Sequence, residues 1–249
     1  MTILKKGQLI RRTNESKEQD EYVMRTITPE ELGDAVALQK YVYEQLPDKQ
    51  VLYMDSYEEI YDDMKQGAKI IGVFNKTGDI IAYRHIGFPG FSEKNLGHDV
   101  NIPRQELAKV AHLETTVVHP EYRGNSLQSL TLQQAIPMVK DLGYSHLLCT
   151  VSPLNIYSLY NIIKNGLRIK ALKKKYGSAE KDGKDGMWRF ILHRNLEPRA
   201  VRKVSQNFGI PIGDFERQRK LIDEGFVGLW LYKESKLLNY VRFEDAIAN

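Results

Sequence analysis

Cysteine is almost missing from these 249 residues: there is one, Cys149. A single thiol excludes a disulfide framework within the chain and points to a reducing, cytoplasmic setting. Cys149 sits in the apolar run HLLCTV. That is the pattern of a buried strand, so it reads as an inert core thiol and not as a nucleophile. No apolar run approaches the roughly 18 residues of a membrane span. The opening MTILKKGQLIRRTNESKEQDE has no continuous apolar core of signal-peptide length. Charge of one sign is also lacking. Lys and Arg number 36 against 32 Asp and Glu, a net +4 spread along the chain, which is too weak to argue for nucleic acid. His85 and His98 have no Cys or His at metal-ligand spacing, so no metal is expected. There is no Walker-type loop, no Ser-His-Asp signature and no internal repeat.

What is present is an ordinary globular composition, 42% hydrophobic and 27% charged. Residues 1–20 read as a polar leader with the character of a mobile terminus. A strand is expected over 22–27. Thr28-Pro29-Glu30-Glu31 is a helix start, and that helix should run to about Leu46. Its inner face would be Leu32, Val36, Leu38, Val42 and Tyr43. A second helix begins at Ser56, with Glu59 at the capping-box spacing, and ends at Gly67. Two apolar runs, 68–74 and 80–88, flank Asn75-Lys76-Thr77-Gly78-Asp79 and signal a hairpin. A strand over 108–118 follows a loop rich in Gly, Pro and Asn. Then come a helix over 126–142 containing Pro137, where a kink is expected, a strand over 145–151, a short helix over 153–165, and strands over 167–176 and 187–193. Lys170, Lys173, Lys174, Lys175, Lys181 and Lys184 make the last pair an exposed basic hairpin. Beyond it, 197–206 and 214–224 read as helices, and 226–232 with 237–243 as a hairpin. The order of elements predicts an α/β (α+β) layered domain over 21–195, with a mixed sheet flanked by helices, and an extension over 196–249.

The most informative stretch is HLETTVVHPEYRGNSLQSL, from His112 to Leu130. It reads as a strand, a tight turn at Arg123-Gly124, and a helix. A helix opening directly after such a turn presents unpaired main-chain N–H groups and the positive end of its dipole, an arrangement that binds phosphate. Here Val117-Val118-His119-Pro120-Glu121-Tyr122-Arg123-Gly124 resembles the approach to the pyrophosphate loop of the GNAT superfamily of acyl-CoA N-acyltransferases. The family pattern is Arg or Gln, two residues, Gly, one residue, then Gly or Ala. Arg123 and Gly124 match, while Ser126 and Gln128 replace the two small residues. Downstream, Ser152-Pro153-Leu154-Asn155, Tyr160 and Gly166-Leu167 resemble a later family motif, with Leu167 where an aromatic is usual. The resemblance covers about 22–194. It implies a mostly antiparallel central sheet, acetyl-CoA as co-substrate, and a coenzyme A site at Val117, Val118, Arg123, Gly124, Asn125, Ser126, Leu127, Asn155 and Tyr160.

Acyl transfer to an amine needs a base for the amine, stabilisation of the carbonyl oxygen, and a proton for the departing thiolate. His112, Glu114 and Thr116 alternate along the central strand and are expected on one face. In the resembling family this strand faces the acceptor, which makes Glu114 the first candidate base and His112 the second. Either residue could instead serve structure, Glu114 in an ion pair and His112 as a satisfied buried ring. Tyr160, or Tyr157 three residues earlier, is the candidate acid, since a phenol can hand its proton to sulfur. Asn155 would cap its helix or bond the cofactor's arm. A main-chain N–H near Val117 or Val118 would stabilise the oxyanion. The expected activity is direct acetyl transfer to an amine-bearing small molecule or peptide, in a groove between the first two helices and the central strand. The alternatives are a transferase using longer acyl-CoA or acyl carrier protein, which Gln128 keeps open, and a non-catalytic acyl-CoA-binding module. The extension would border the groove or form a homodimer.

Overall fold

A computed structural model describes residues 3–177, 186–198 and 202–244. The chain forms two compact units. The first comprises Met1–Pro89 and Ala111–Gly143, the second Gly90–Val110 and Tyr144–Asn249.

In the first unit five strands lie in the order β1 (Ile3–Arg12), β2 (Lys17–Thr26), β3 (Lys69–Asn75), β4 (Ile80–Gly87) and β5 (Val110–Val118). Each pairs antiparallel with the next. The expected polar leader is thus corrected. Residues 3–12 pair with 17–25 in a hairpin, closed by Thr13 and Ser16. Its composition misleads because β1 is an edge strand that buries little beyond Leu9. Charged edges such as Lys5, Lys6 and Arg11 guard the open ladder against further pairing. In β2 the inward set Asp20, Tyr22 and Met24 alternates with exposed Gln19 and Glu21 and half-buried Val23 and Arg25.

Two helices cover one face of this sheet: α1 (Leu32–Glu44), preceded by a 3-10 turn at Pro29–Glu31, and α2 (Tyr57–Lys65). The capping box at the start of α2 forms as expected. Ser56 Oγ accepts from Glu59 N at 3.2 Å, and Glu59 accepts from Ser56 N at 2.8 Å. Leu32, Ala35, Leu38 and Val42 of α1 and Ile60 of α2 pack with Ile70, Phe74, Tyr83 and Val117 into one apolar cluster. Each large aliphatic side chain buried there contributes about 2 kcal/mol. The third helix, α3 (Leu127–Asp141), lies on the opposite face, with Pro137 inside it. Alternation along β4 shows this directly. Tyr83 Oη donates to Gln39 of α1, whereas Arg84 reaches Thr131 and the Gln128 carbonyl of α3.

In the second unit the order is β6 (His146–Val151), β8 (Met187–Asn195), β7 (Arg168–Lys175), β10 (Val227–Tyr232), β11 (Leu237–Phe243) and β9 (Val204–Pro211). These pairings are also antiparallel. Cys149 is buried in β6. Two helices, α4 (Ile156–Lys164) and α5 (Phe215–Asp223), complete the unit. A helix was expected over 197–206. Residues 199–201 lie outside the described residues, and Val204–Pro211 is a strand on β11, held by cross-strand pairing that a lone segment does not reveal. The expected hairpin over 226–243 forms and pairs with β7, so the extension shares a unit with β6–β8. The basic hairpin is less free than expected. Lys173 and Lys175 pair with Asp99 at 3.0 and 2.7 Å, and Lys174 lies over Trp188. Lys181 and Lys184 fall outside the described residues. Among the described residues no helix is long and apolar enough to cross a membrane.

Candidate active site

The register of β4 on β5 decides what β5 presents. Gly87 pairs with His112 and Ile86 with Leu113, but Arg84 pairs with Thr116 and Tyr83 with Val117. Glu114 and Thr115 therefore stand together opposite His85, which is a β-bulge. Cross-strand partners share a face. His112 and Glu114 thus lie with Gly87 on the side of α2, and His112 Nδ1 is 3.0 Å from Glu114 Oε1. Thr116 does not join them. The bulge resets the alternation, and Thr116 shares the α3 face with Arg84. Thr115 takes the α2 side instead, with its hydroxyl on Asp55 Oδ2 at 2.5 Å. Gly87 gives Glu114 its room, since a Cβ there would stand 3.0 Å from Glu114 Oε1.

Asp55, in the loop before α2, is the residue that sequence reasoning missed. Its carboxyl is pushed up from 3.8 to about 6, mainly by burial. The Thr115 hydroxyl opposes that rise, while Glu114, Glu59 and Asp63 add to it. A signal was available: DSYEEIYDD places five carboxylates in nine residues, from Asp55 to Asp63. Beside them His85 is 1% exposed and neither ring nitrogen completes a hydrogen bond. Its Nε2 lies 3.4 Å from Asp63 Oδ2, within ion-pair range but without hydrogen-bond geometry. Burial lowers the His85 pKa, against the pull of Glu114 and Asp63, and favours the neutral ring.

After β5 the chain turns through Pro120–Tyr122 into α3. Gly124 has φ +80° and Ser126 φ +58°. These left-handed residues bend successive N–H groups toward one side, the geometry of an anion nest. Among the described residues the main-chain N–H groups of Gly124, Asn125, Ser126 and Leu127 donate to no protein acceptor. Ser126 occupies the N-cap position of α3 but makes no side-chain cap, because its backbone is left-handed. Asn125 turns its side chain away from the nest. Its Oδ1 accepts from Ile10 N at 2.9 Å, and its Nδ2 donates to the Ile10 carbonyl at 2.7 Å and the Tyr122 carbonyl at 2.9 Å. Arg12 donates to the Arg123 carbonyl at 3.0 Å, and Arg11 pairs with Glu121 at 2.7 Å. The hairpin hidden in the supposed leader therefore pins the turn. Of the neighbouring positions, Val117 is buried in the core, Val118 is half-buried, and Arg123 is exposed.

In the second unit, Asn155 caps α4 by accepting from Ser158 N at 3.1 Å, one of its two expected roles. Tyr160, half-buried on α4, meets Trp230 edge-on with centroids 6.0 Å apart, and Lys233 Nζ lies 4.3 Å from its ring centre. Tyr157 is 78% exposed, which leaves Tyr160 the more buried of the two phenols.

No family model matches the chain, and no curated protein matches it significantly. Solved structures do. An acetyltransferase of the GNAT family from Streptococcus pneumoniae is 18% identical at TM-score 0.52, covering 70% of this chain and 99% of that one. A GNAT-superfamily phosphinothricin acetyltransferase from Sinorhizobium meliloti, solved with acetyl-CoA, is 14% identical at TM-score 0.53, covering 70% and 88%. An N-acetyltransferase from Staphylococcus aureus Mu50 is 14% identical at TM-score 0.52, covering 71% and 99%. This chain has the GNAT fold. The expected architecture, an α/β fold with a large, mostly antiparallel sheet flanked by helices, is the one observed.

Proposed function

We propose that the chain is an N-acetyltransferase moving acetyl from acetyl-CoA to an amine. One observation carries the reading: the unpaired N–H groups of Gly124–Leu127 open a 15-residue helix on a GNAT fold. These amides bind the diphosphate, and their work is main-chain work, so Ser126 and Gln128 in place of smaller residues do not remove it. Glu114, held by His112, takes the proton of the acceptor amine. The amine nitrogen then attacks the thioester carbonyl carbon, the C–N bond forms, and the C–S bond breaks. A main-chain N–H at Val117 or Val118 stabilises the oxyanion, and Tyr160 gives its proton to the leaving thiolate. No acyl-enzyme is needed, in keeping with the burial of Cys149. The single cysteine also supports a cytoplasmic setting.

Calorimetry with acetyl-CoA, followed by release of free thiol over a panel of amines, tests this. Binding with amine-dependent thiol release is expected. Absence of acetyl-CoA binding at millimolar concentration would overturn the reading, and binding without turnover would make the chain an acyl-CoA sensor.

A further inference from the structure

The α2 side of β4 and β5 carries more charge than a base needs. Asp55 is largely buried, yet the groups acting on it most strongly besides burial are one hydroxyl and three carboxylates: Glu114 on β5, and Glu59 and Asp63 on α2. Next to them stands His85, fully buried with both ring nitrogens unsatisfied. A buried imidazole without a partner is costly. With Nε2 turned to Asp63, the neutral ring has Nδ1 left to accept a hydrogen bond. A group that supplies both positive charge and N–H donors would balance the negative charge of the carboxylates and give the histidine a partner, and a protonated amine is that group. One ammonium answers only part of the cluster, so several carboxylates favour several charges. A carboxylate on the ligand would meet Asp55 and Glu114 as a like charge.

We infer that this face takes a linear di- or polyamine, one ammonium shared by Asp55 and Glu114 and hydrogen-bonded to His85, with further charge held by Glu59 and Asp63. As an assignment of the acetyl acceptor this rests on the acetyltransferase reading, whereas the binding itself does not need coenzyme A. It also selects against amino acids as acceptors, because their carboxylate lies next to the amine.

Calorimetry at pH 7.5 and low salt, with spermidine, putrescine, phenethylamine and glutamate as separate probes, decides the matter. Spermidine should bind most tightly, putrescine less, phenethylamine at least about tenfold more weakly than spermidine, and glutamate without measurable heat. Asp55→Asn should weaken spermidine about tenfold or more. Glu59→Gln is the second variant. Its Gln keeps the bond to Ser56 N and the helix start, and it should weaken spermidine about threefold while leaving phenethylamine unchanged. Spermidine binding no tighter than phenethylamine overturns the inference, as does spermidine binding unchanged in both variants. Coenzyme A is titrated in parallel. Coenzyme A binding without spermidine binding sinks the polyamine site and leaves the acetyltransferase reading standing. The reverse result keeps the amine site and removes that reading.

Discussion

The two ends of β5 are built on opposite principles. Upstream, around His112, Glu114 and Thr115, the site is made of side chains, several of them ionisable and partly or wholly buried. Downstream, from Arg123 to Leu127, it is made of main chain, held in shape by two left-handed residues and by the Asn125 and Arg12 ties to β1. The first end depends on which residue stands at each position. The second depends on which φ each position can reach. Substitutions should therefore separate the two: upstream changes act on the amine and on pH, downstream changes on the cofactor.

The largest effect is expected at Asp55, and it runs in two directions. Its folded pKa of about 6 lies above the unfolded 3.8. Between those values the folded chain holds more protons than the unfolded one, so this group's contribution to stability falls as pH rises through that window. The gap corresponds to roughly 3 kcal/mol at most above pH 6, and less with solvent relaxation. Facing it are Thr115 and Glu114 from β5, Glu59 and Asp63 from α2, Tyr83 from β4, and Tyr53 from its own loop. Asp55→Asn should stabilise the protein by about 1–3 kcal/mol at pH 7.5 and by much less at pH 4, read from urea midpoints. The same variant should lower kcat/KM for a polyamine about tenfold or more while leaving acetyl-CoA affinity intact. A variant less stable than wild type at pH 7.5 would show that Asp55 serves the fold and break the contrast between the two ends.

At the other end Gly124→Val is the sharpest probe. A β-branched residue resists φ +80° by about 1–2 kcal/mol, and the strain falls on the nest. Acetyl-CoA affinity should drop about tenfold, while spermidine binding stays as in wild type. Loss of both in a folded variant would mean that the two ends are not separable.

This contrast also explains what the sequence disclosed. The helix starts at Thr28 and Ser56, the 75–79 hairpin, and the strand-turn-helix after His112 are local patterns, and each formed within a few residues of its expected span. The bulge could not be read, because it exists only in the pairing of β5 with β4. It moved Thr116 off the face and put Thr115 there, and with Thr115 came Asp55 from 60 residues away. The β1–β2 hairpin was hidden for a related reason. An edge strand is held by its neighbour's hydrogen bonds, so its own composition stays polar. The turn before α3 was legible because a turn is local, whereas the meeting of Asp55 with Thr115 and Glu114 was not, because it exists only through register.

A smaller effect is expected at Asn125. Replacing it with Ala removes three hydrogen bonds that tie the turn to Ile10 and Tyr122. All three lie near the surface, so the loss should be about 1 kcal/mol in stability, with acetyl-CoA bound a few-fold more weakly because the nest is less ordered before the ligand arrives. The smallest effect separates backbone from side chain at the substituted family position. Ser126 holds φ +58° and ψ +20° and makes no cap. If only its backbone matters, Ser126→Gly should relieve left-handed strain, offset in part by the freedom glycine gains when unfolded, for a net change within about 0.5–1 kcal/mol. Acetyl-CoA affinity should then equal or exceed that of wild type. Ser126→Ala retains the strain and should match wild type in affinity, since the hydroxyl caps nothing. Weaker acetyl-CoA binding in both variants would assign the Ser126 hydroxyl a direct contact with phosphate, and the downstream end of β5 would then be a side-chain site as well.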